Sequence, residues 1–151
     1  MNPKIKSINL HTNNTKPVSF SLIDKNFAFV IFHNSASVEA NDLLLDAPSG
    51  SVMLRQPGLQ LDIRPLGNYT LSYSILSFRG TDAHKLSSLS NIEPNILLKP
   101  LQIHYTDSIL TKIGFEITNK SINWQSIICA LILELFSKTF RLCNHDFTES
   151  L

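Results

Sequence analysis

Residues 26–63 of the 151-residue chain read NFAFVIFHNSASVEANDLLLDAPSGSVMLRQPGLQLDI. In Phe27–Phe32, apolar side chains occupy both alternating sets of positions, which is typical of a strand covered by other layers on its two faces. Val52 and Leu54, and then Leu59, Leu61 and Ile63, instead occupy alternate positions, with polar Gln60 and Asp62 between the last three. Turn-forming residues separate these segments at Asn34-Ser35, Asn41-Asp42, Pro48-Ser49-Gly50 and Pro57-Gly58. The stretch therefore predicts short strands joined by tight turns.

The same pattern continues on both sides of this stretch. Val18, Phe20 and Leu22 alternate with polar residues before it, and Tyr69–Phe78 alternates after it. Turn signals recur about every 8–12 residues, a spacing that favours a β-sandwich or barrel over β-α-β units. We expect residues 17–80 to form an all-β core.

Beyond Phe78 the apolar period lengthens to that of helices. A short helix is predicted from Thr81 or Asp82 to Asn91, and a second begins at Asp107 or Ser108. Pro94 and Pro100 predict that the segment between these two helices, residues 92–105, is extended. With a last helix at 123–142, the predicted class is mainly β with C-terminal α: a barrel followed by two or three helices.

The last predicted helix is apolar around most of its circumference. Its two adjacent rows are Trp124, Ile128, Leu131, Leu135 and Leu142, and Cys129, Ile132, Phe136, Phe140 and Cys143. Such a helix must be covered on two sides. One side rests on the chain's own barrel, and either a partner subunit or further internal packing covers the other.

Composition excludes several classes of function. Hydrophobic residues make up 43% of the chain, and 13 basic against 12 acidic residues leave a formal net charge of +1. A folded core is therefore expected, without the basic face of a nucleic-acid-binding surface. The N-terminus lacks the apolar run of a signal peptide, and the most apolar stretch, 127–136, is too short to span a membrane. Cys129 and Cys143 are expected to be reduced thiols in a cytoplasmic protein.

The sequence contains no recognisable catalytic or metal-binding motif. There is no GxSxG elbow and no glycine-rich phosphate loop. The histidines are scattered, without close pairing, at His11, His33, His84, His104 and His145. We therefore expect no enzyme activity, no cofactor and no metal, because no three ligands converge in the strand pattern.

Residues 26–80 resemble the effector-binding half of AraC-type transcriptional regulators, a cupin-like barrel or double-stranded β-helix. Pro48–Gly58 is similar to that family's "PGdvxLxxPG" segment, with one extra residue between Pro48 and Gly50. YSILSFRG, Tyr73–Gly80, is similar to the family's closing strand. The metal-binding His-x-His of other cupins is missing, as it is in the AraC-type branch. This departure argues against a metal-dependent cupin enzyme.

The resemblance implies a domain order. It comprises an N-terminal arm at 1–16, polar and free of strong strand signals, then the barrel at 17–80. A region with the dimerisation helix follows at 81–143, and 144–151 starts a linker to an absent helix-turn-helix domain. The implied function is that of a regulatory domain: a small effector of unknown identity shifts a homodimer, and the absent domain binds DNA. The alternative is a stand-alone small-molecule-binding protein without a DNA role.

The effector pocket is expected inside the barrel. The candidate lining residues are Phe29, Ile31, Arg55, Ile63 and Tyr73. Arg55 has the opposite parity to Leu54, so it points outward unless a bulge turns it inward to hold an anionic effector. Plain core filling is the alternative for Phe29 and Ile31, because small barrels are often packed solid.

The dimer seam is expected on the last helix. The row with heptad-like spacing comprises Ile128, Leu131, Leu135 and Leu142.

Overall fold

The computed structural model describes residues 3–100 and 104–150, without the side chains of 144–150. Within these residues, eight strands precede three helices. The strands are β1 (Lys4–Asn14), β2 (Val18–Phe20), β3 (Phe27–Phe32), β4 (Ala36–Ala40), β5 (Leu43–Ala47), β6 (Val52–Arg55), β7 (Leu61–Pro65) and β8 (Leu71–Arg79). The helices are α1 (Thr81–Ser90), α2 (His104–Asn119) and α3 (Trp124–Ser150). The predicted class, mainly β with C-terminal α, is confirmed.

The strands form two antiparallel four-stranded sheets. The first has the order β1-β8-β3-β6 and the second β2-β7-β4-β5. Because the chain crosses repeatedly between the sheets, the topology is that of a jelly roll, the architecture of cupins. The predicted cupin-like fold is confirmed, and it consists of two packed sheets.

Two apolar layers result from this arrangement. Between the sheets, Phe32, Met53 and Ile75 of the first sheet pack with Leu61 and Ile63 of the second. On the other face of the first sheet, alternate residues of the same strands pack against the three helices. The first sheet is thus covered on both faces, which explains the continuous apolar run of β3.

The segment 1–16, predicted as an arm without a strand, instead contains β1, which pairs with β8 along the edge of the first sheet. Two register shifts explain the error, since each lets two residues of β1 oppose one of β8. Ile5 pairs with Phe78 and Ile8 with Leu76, so both lie on the helix-covered face despite their odd spacing. Residues 1 and 2 of the predicted arm lie outside the described residues.

The helices begin and end differently from the predictions. α2 begins at His104, three residues before the predicted Asp107. Residues 92–100 contain no helix, but a turn at 94–96 interrupts the predicted extended stretch, and 101–103 lie outside the described residues. α3 continues to Ser150 through most of the predicted linker at 144–151. None of the described helices is both long and apolar enough to cross a lipid bilayer.

Candidate ligand groove and histidine cluster

The five predicted effector residues do not line one cavity. Arg55, Ile63 and Tyr73 belong to the layer between the sheets, and all three are buried there. Phe29 and Ile31 lie on the opposite face of the first sheet, under the helices. The prediction placed both groups in one pocket, because alternation assigns faces only within a strand and does not show which face meets the second sheet.

Arg55 is buried and points inward, contrary to the prediction that it points outward. Leu54 packs toward the helices, so its neighbour Arg55 packs toward the second sheet. The guanidinium carbon lies 5.3 Å from the centre of the Phe20 ring. Burial lowers the pKa of Arg55, and the carboxylate of Asp24 opposes this effect.

The guanidinium of Arg55 binds backbone rather than a ligand. Nε and Nη2 donate to the carbonyl of Leu59 at 3.0 and 2.8 Å. Nη1 donates to the carbonyls of Asn26 and Asp24 at 2.6 and 3.1 Å, and Nη2 also donates to that of Ser21 at 2.8 Å. These bonds engage all five guanidinium N–H donors. Arg55 therefore fixes the loop between β2 and β3 and has no donor left for an anionic effector.

A groove of about 630 Å³ lies where the first sheet meets the helices. One wall comes from β1 and the end of β8, and the other from the end of α2 and the start of α3. Its lining residues are Pro3, Lys4, Ile5, Lys6, Ser7, Ile8, Arg79, Ile117, Lys120, Trp124, Gln125 and Ile128. Its volume falls within the range of small-molecule sites, and none of the five predicted residues lines it.

The groove combines positive charge with apolar surface. Of the described lining residues, four are basic and none is acidic. Lys4, Lys6 and Arg79 stand on the sheet side, and Lys120 on the helix side lies over the Trp124 ring at 5.4 Å. Sequence reasoning missed this set because its members come from both ends of the chain. The arrangement suits an anionic molecule with an apolar body.

A second polar group lies between the first sheet and the start of α2. His11 Nε2 is 3.0 Å from Asp107 Oδ2, and the rings of His11 and His33 stack with centroids 4.3 Å apart. Ser74 Oγ accepts the backbone N–H of His11 at 2.9 Å and lies 2.7 Å from His33 Nε2. One potential ligand atom from each of His11, His33 and Asp107 lies within 4.8 Å of the other two. The expectation that no three ligands converge is therefore wrong.

Within this cluster, His33 is partly buried. Burial lowers the pKa of His33 below its ordinary value, His11 lowers it further, and Asp107 opposes both effects. The His33 imidazole is therefore mainly neutral at pH 7.

Most residues of the row predicted to form the dimer seam pack within the chain itself. Ile128 and Leu135 are buried against the first sheet and the other helices, so these two residues cannot form a seam with a partner. Leu131 is partly buried and packs against the same core, and Leu142 is also partly buried. Internal packing was the alternative for this helix, and it accounts for the buried half of the row.

No family model and no curated protein sequence matches the chain. Solved structures do. Apo ToxT from Vibrio cholerae strain SCE256 has a TM-score of 0.60 at 13% identity, covering 91% of this chain and 56% of ToxT. ToxT with a bound unsaturated fatty acid, from the same strain, has a TM-score of 0.51 at 15% identity, covering 97% and 57%.

CuxR, an AraC-like transcriptional activator, has a TM-score of 0.51 at 11% identity, covering 80% of this chain and 48% of CuxR. This chain therefore spans about half the length of these proteins. The resemblance to AraC-type regulators is confirmed as a shared fold.

Proposed function

We propose that this chain is the effector-binding region of an AraC-type transcription regulator, and that its effector is a small anion with an apolar body. The observation that supports this is the groove with four basic residues on a fold shared with ToxT. ToxT has been solved with an unsaturated fatty acid and with (E)-4-(8-methylnaphthalen-1-yl)but-3-enoic acid. Both are carboxylic acids with apolar bodies.

The residues of the groove match such a molecule in two ways. Ile5, Ile8 and Ile117 provide apolar contact for a chain or ring. Arg79 provides two parallel N–H donors for a carboxylate, and Lys120 adds a second charge from the opposite wall. This replaces the earlier hypothesis of an effector between the two sheets.

The groove lies between elements from opposite ends of the chain. β1 forms one wall, and α2 and α3 form the other. An effector that contacts both walls binds best when they are close, so it shifts the population toward that arrangement. In an AraC-type regulator, this shift would reach the DNA-binding region. The proposal includes a cytoplasmic location and no catalytic role.

The effector hypothesis is testable by fluorescence, because the single tryptophan, Trp124, lines the groove. Oleate, titrated below its micelle concentration, should change Trp124 emission in a saturable manner. Arg79→Gln and Lys120→Gln should each weaken binding about tenfold, since each removes a charge-assisted contact worth about 1.5 kcal/mol or more.

Lys112→Gln is the matched control, because Lys112 is exposed on α2 and does not line the groove. It should leave oleate affinity unchanged, and uncharged methyl oleate should bind much more weakly than oleate. Equal effects of all three variants, or no saturable change with oleate, would contradict the groove hypothesis. Oleate binding without any effect on DNA binding by the whole protein would favour the stand-alone binder.

We further propose that the chain forms a homodimer through the margin of the buried row of α3, where Leu142 is partly exposed and Leu131 combines partial exposure with contact to the chain's own core. Leu131→Glu would place an unpaired charge in such a seam, at a cost of several kcal/mol. Sedimentation should then show a folded monomer, whereas Leu89→Glu, at an exposed site on α1, should remain dimeric. A wild-type chain that is monomeric at high micromolar concentration would contradict the dimer proposal.

A further inference from the structure

The histidine cluster brings together three metal-binding side chains from distant parts of the chain. His11 belongs to β1, His33 directly follows β3, and Asp107 lies in the first turn of α2. We infer that His11, His33 and Asp107 form a binding site for a divalent first-row transition-metal ion, for which Zn²⁺ is the test ion. This site is independent of the proposed effector groove, because none of its residues lines the groove.

The donor set is the first argument. Two imidazole nitrogens and one carboxylate oxygen form a donor set that favours Zn²⁺, Co²⁺ and Cu²⁺ over Mg²⁺ and Ca²⁺. Bonds of about 2.0–2.1 Å to zinc place tetrahedral ligand atoms about 3.3 Å apart. The atoms here already lie within 4.8 Å of one another, and His11 Nε2 and Asp107 Oδ2 are at 3.0 Å. To bind an ion, the two imidazole rings must turn out of their stack, in which their planes are 14° apart, so that one nitrogen of each faces the ion.

The second argument is an oxygen without a hydrogen-bond partner. Asp107 Oδ1 is shielded from solvent and accepts no hydrogen bond among the described residues. A shielded carboxylate oxygen without a donor is unfavourable. A metal ion bound by this carboxylate would compensate for the missing hydrogen bond.

The surroundings support the two histidines as ligands. A metal-binding histidine usually donates its second ring N–H to a neighbouring acceptor, and the buried Ser74 hydroxyl lies 2.7 Å from His33 Nε2. Near His11, the register of β1 shifts between Asn9 and Thr12, and His11 has a φ of 46°. This shift places His11 opposite Ser74, on the face covered by the helices, and such bulges often orient a functional side chain.

The location distinguishes this site from a ligand site inside the jelly roll. Both histidines meet Ser74, whose side chain lies on the face of the first sheet opposite Tyr73 and Ile75. The ring of His11 is also open to water, with 59% of its side chain exposed. A bound ion would therefore keep a position for water or for a further ligand, as open three-ligand zinc sites do.

The test is a titration of the chelator-stripped 151-residue chain with Zn²⁺ by calorimetry. Co²⁺ replaces it in a second titration, followed by visible absorption. Wild type should bind one Zn²⁺ per chain at micromolar or lower concentration, and Co²⁺ should give the intense visible bands of a four- or five-coordinate site. His11→Ala and Asp107→Asn should each weaken Zn²⁺ binding at least tenfold. His84→Ala is the matched control, because this exposed histidine lies outside the cluster, and it should bind Zn²⁺ like wild type.

Circular dichroism of the metal-free variants separates lost ligands from lost folding. His11 is exposed, so His11→Ala should keep the wild-type spectrum and melting temperature within a few degrees. Zn²⁺ should raise the melting temperature of wild type and of His84→Ala, but not that of His11→Ala. Equal Zn²⁺ affinity in wild type and His11→Ala, or binding below one equivalent in wild type, would show that the cluster is an ion pair only.

Discussion

The two faces of the first sheet hold different kinds of structure. The face toward the second sheet is filled by apolar side chains and by Arg55, whose donors are all bonded to backbone. The face toward the helices is also apolar at its centre, yet the groove and the histidine cluster lie along its margin. Side chains of two facing sheets interdigitate, whereas the groove lies where α2 ends and α3 begins. The sites of this chain therefore lie at the sheet–helix boundary.

The largest expected effect tests how far the layer between the two sheets, here called the inner layer, depends on Arg55. Arg55→Met removes five hydrogen bonds and leaves four buried or half-buried carbonyls without their donor. We expect the free energy of unfolding to fall by about 3–5 kcal/mol, the usual cost of breaking a buried charged network. Urea unfolding followed by circular dichroism measures this change.

Arg64→Met is the matched control for Arg55. Arg64 is exposed on β7, and its nearest carboxylate, that of Glu39, is 3.9 Å away. Its substitution should change the free energy of unfolding by less than about 0.5 kcal/mol. Equal losses for the two arginines would mean that Arg55 does not organise the inner layer.

A smaller effect separates the two faces by function. Phe32 lies between the sheets, and Phe136 of α3 packs against Phe29 and Phe78 on the helix side, with ring centroids 5.7 Å apart in both contacts. Phe32→Leu and Phe136→Leu should each lower the free energy of unfolding by up to about 1.5 kcal/mol. Only Phe136→Leu should also weaken oleate binding, by about threefold, because α3 carries a wall of the groove.

Urea unfolding and the Trp124 fluorescence titration together check this pair of variants. Equal oleate affinities in the two variants would indicate that the helix-covered face is not coupled to the groove.

The smallest effect concerns the outer edge of the second sheet, which no helix of the described residues covers. Leu43, Leu44 and Leu45 of β5 are exposed there, Leu44 by 70%. Leu44→Lys should leave the free energy of unfolding within about 0.5 kcal/mol, since little apolar surface is buried at this site. It should also reduce self-association at high concentration, because a charge protects an edge strand. Dynamic light scattering is the measurement, and unchanged scattering would show that this edge does not contribute to self-association.

Local patterns predicted those elements whose side chains follow one period throughout. The alternation of Tyr69–Phe78 predicted β8, and the apolar run of Phe27–Phe32 predicted β3. β1 was missed because its bulges place Ile5 and Ile8 on one face at a spacing that neither a strand nor a helix has. For Arg55, parity was read correctly, but its face was assigned wrongly because the side that carries Val52 and Leu54, expected to be the barrel interior, is the side that the helices cover.

By itself, the sequence determined the fold class, the turns and the apolar character of α3, because these depend on residues within about ten positions of one another. Only the tertiary structure decided which face of the first sheet lies inside, which leucines of α3 remain accessible, and where the sites are. His11 meets Asp107 across 96 positions of sequence, and Lys4 shares a groove with Trp124. Such neighbours arise from the packing of β1 against α2 and α3, a non-local contact that no local period encodes.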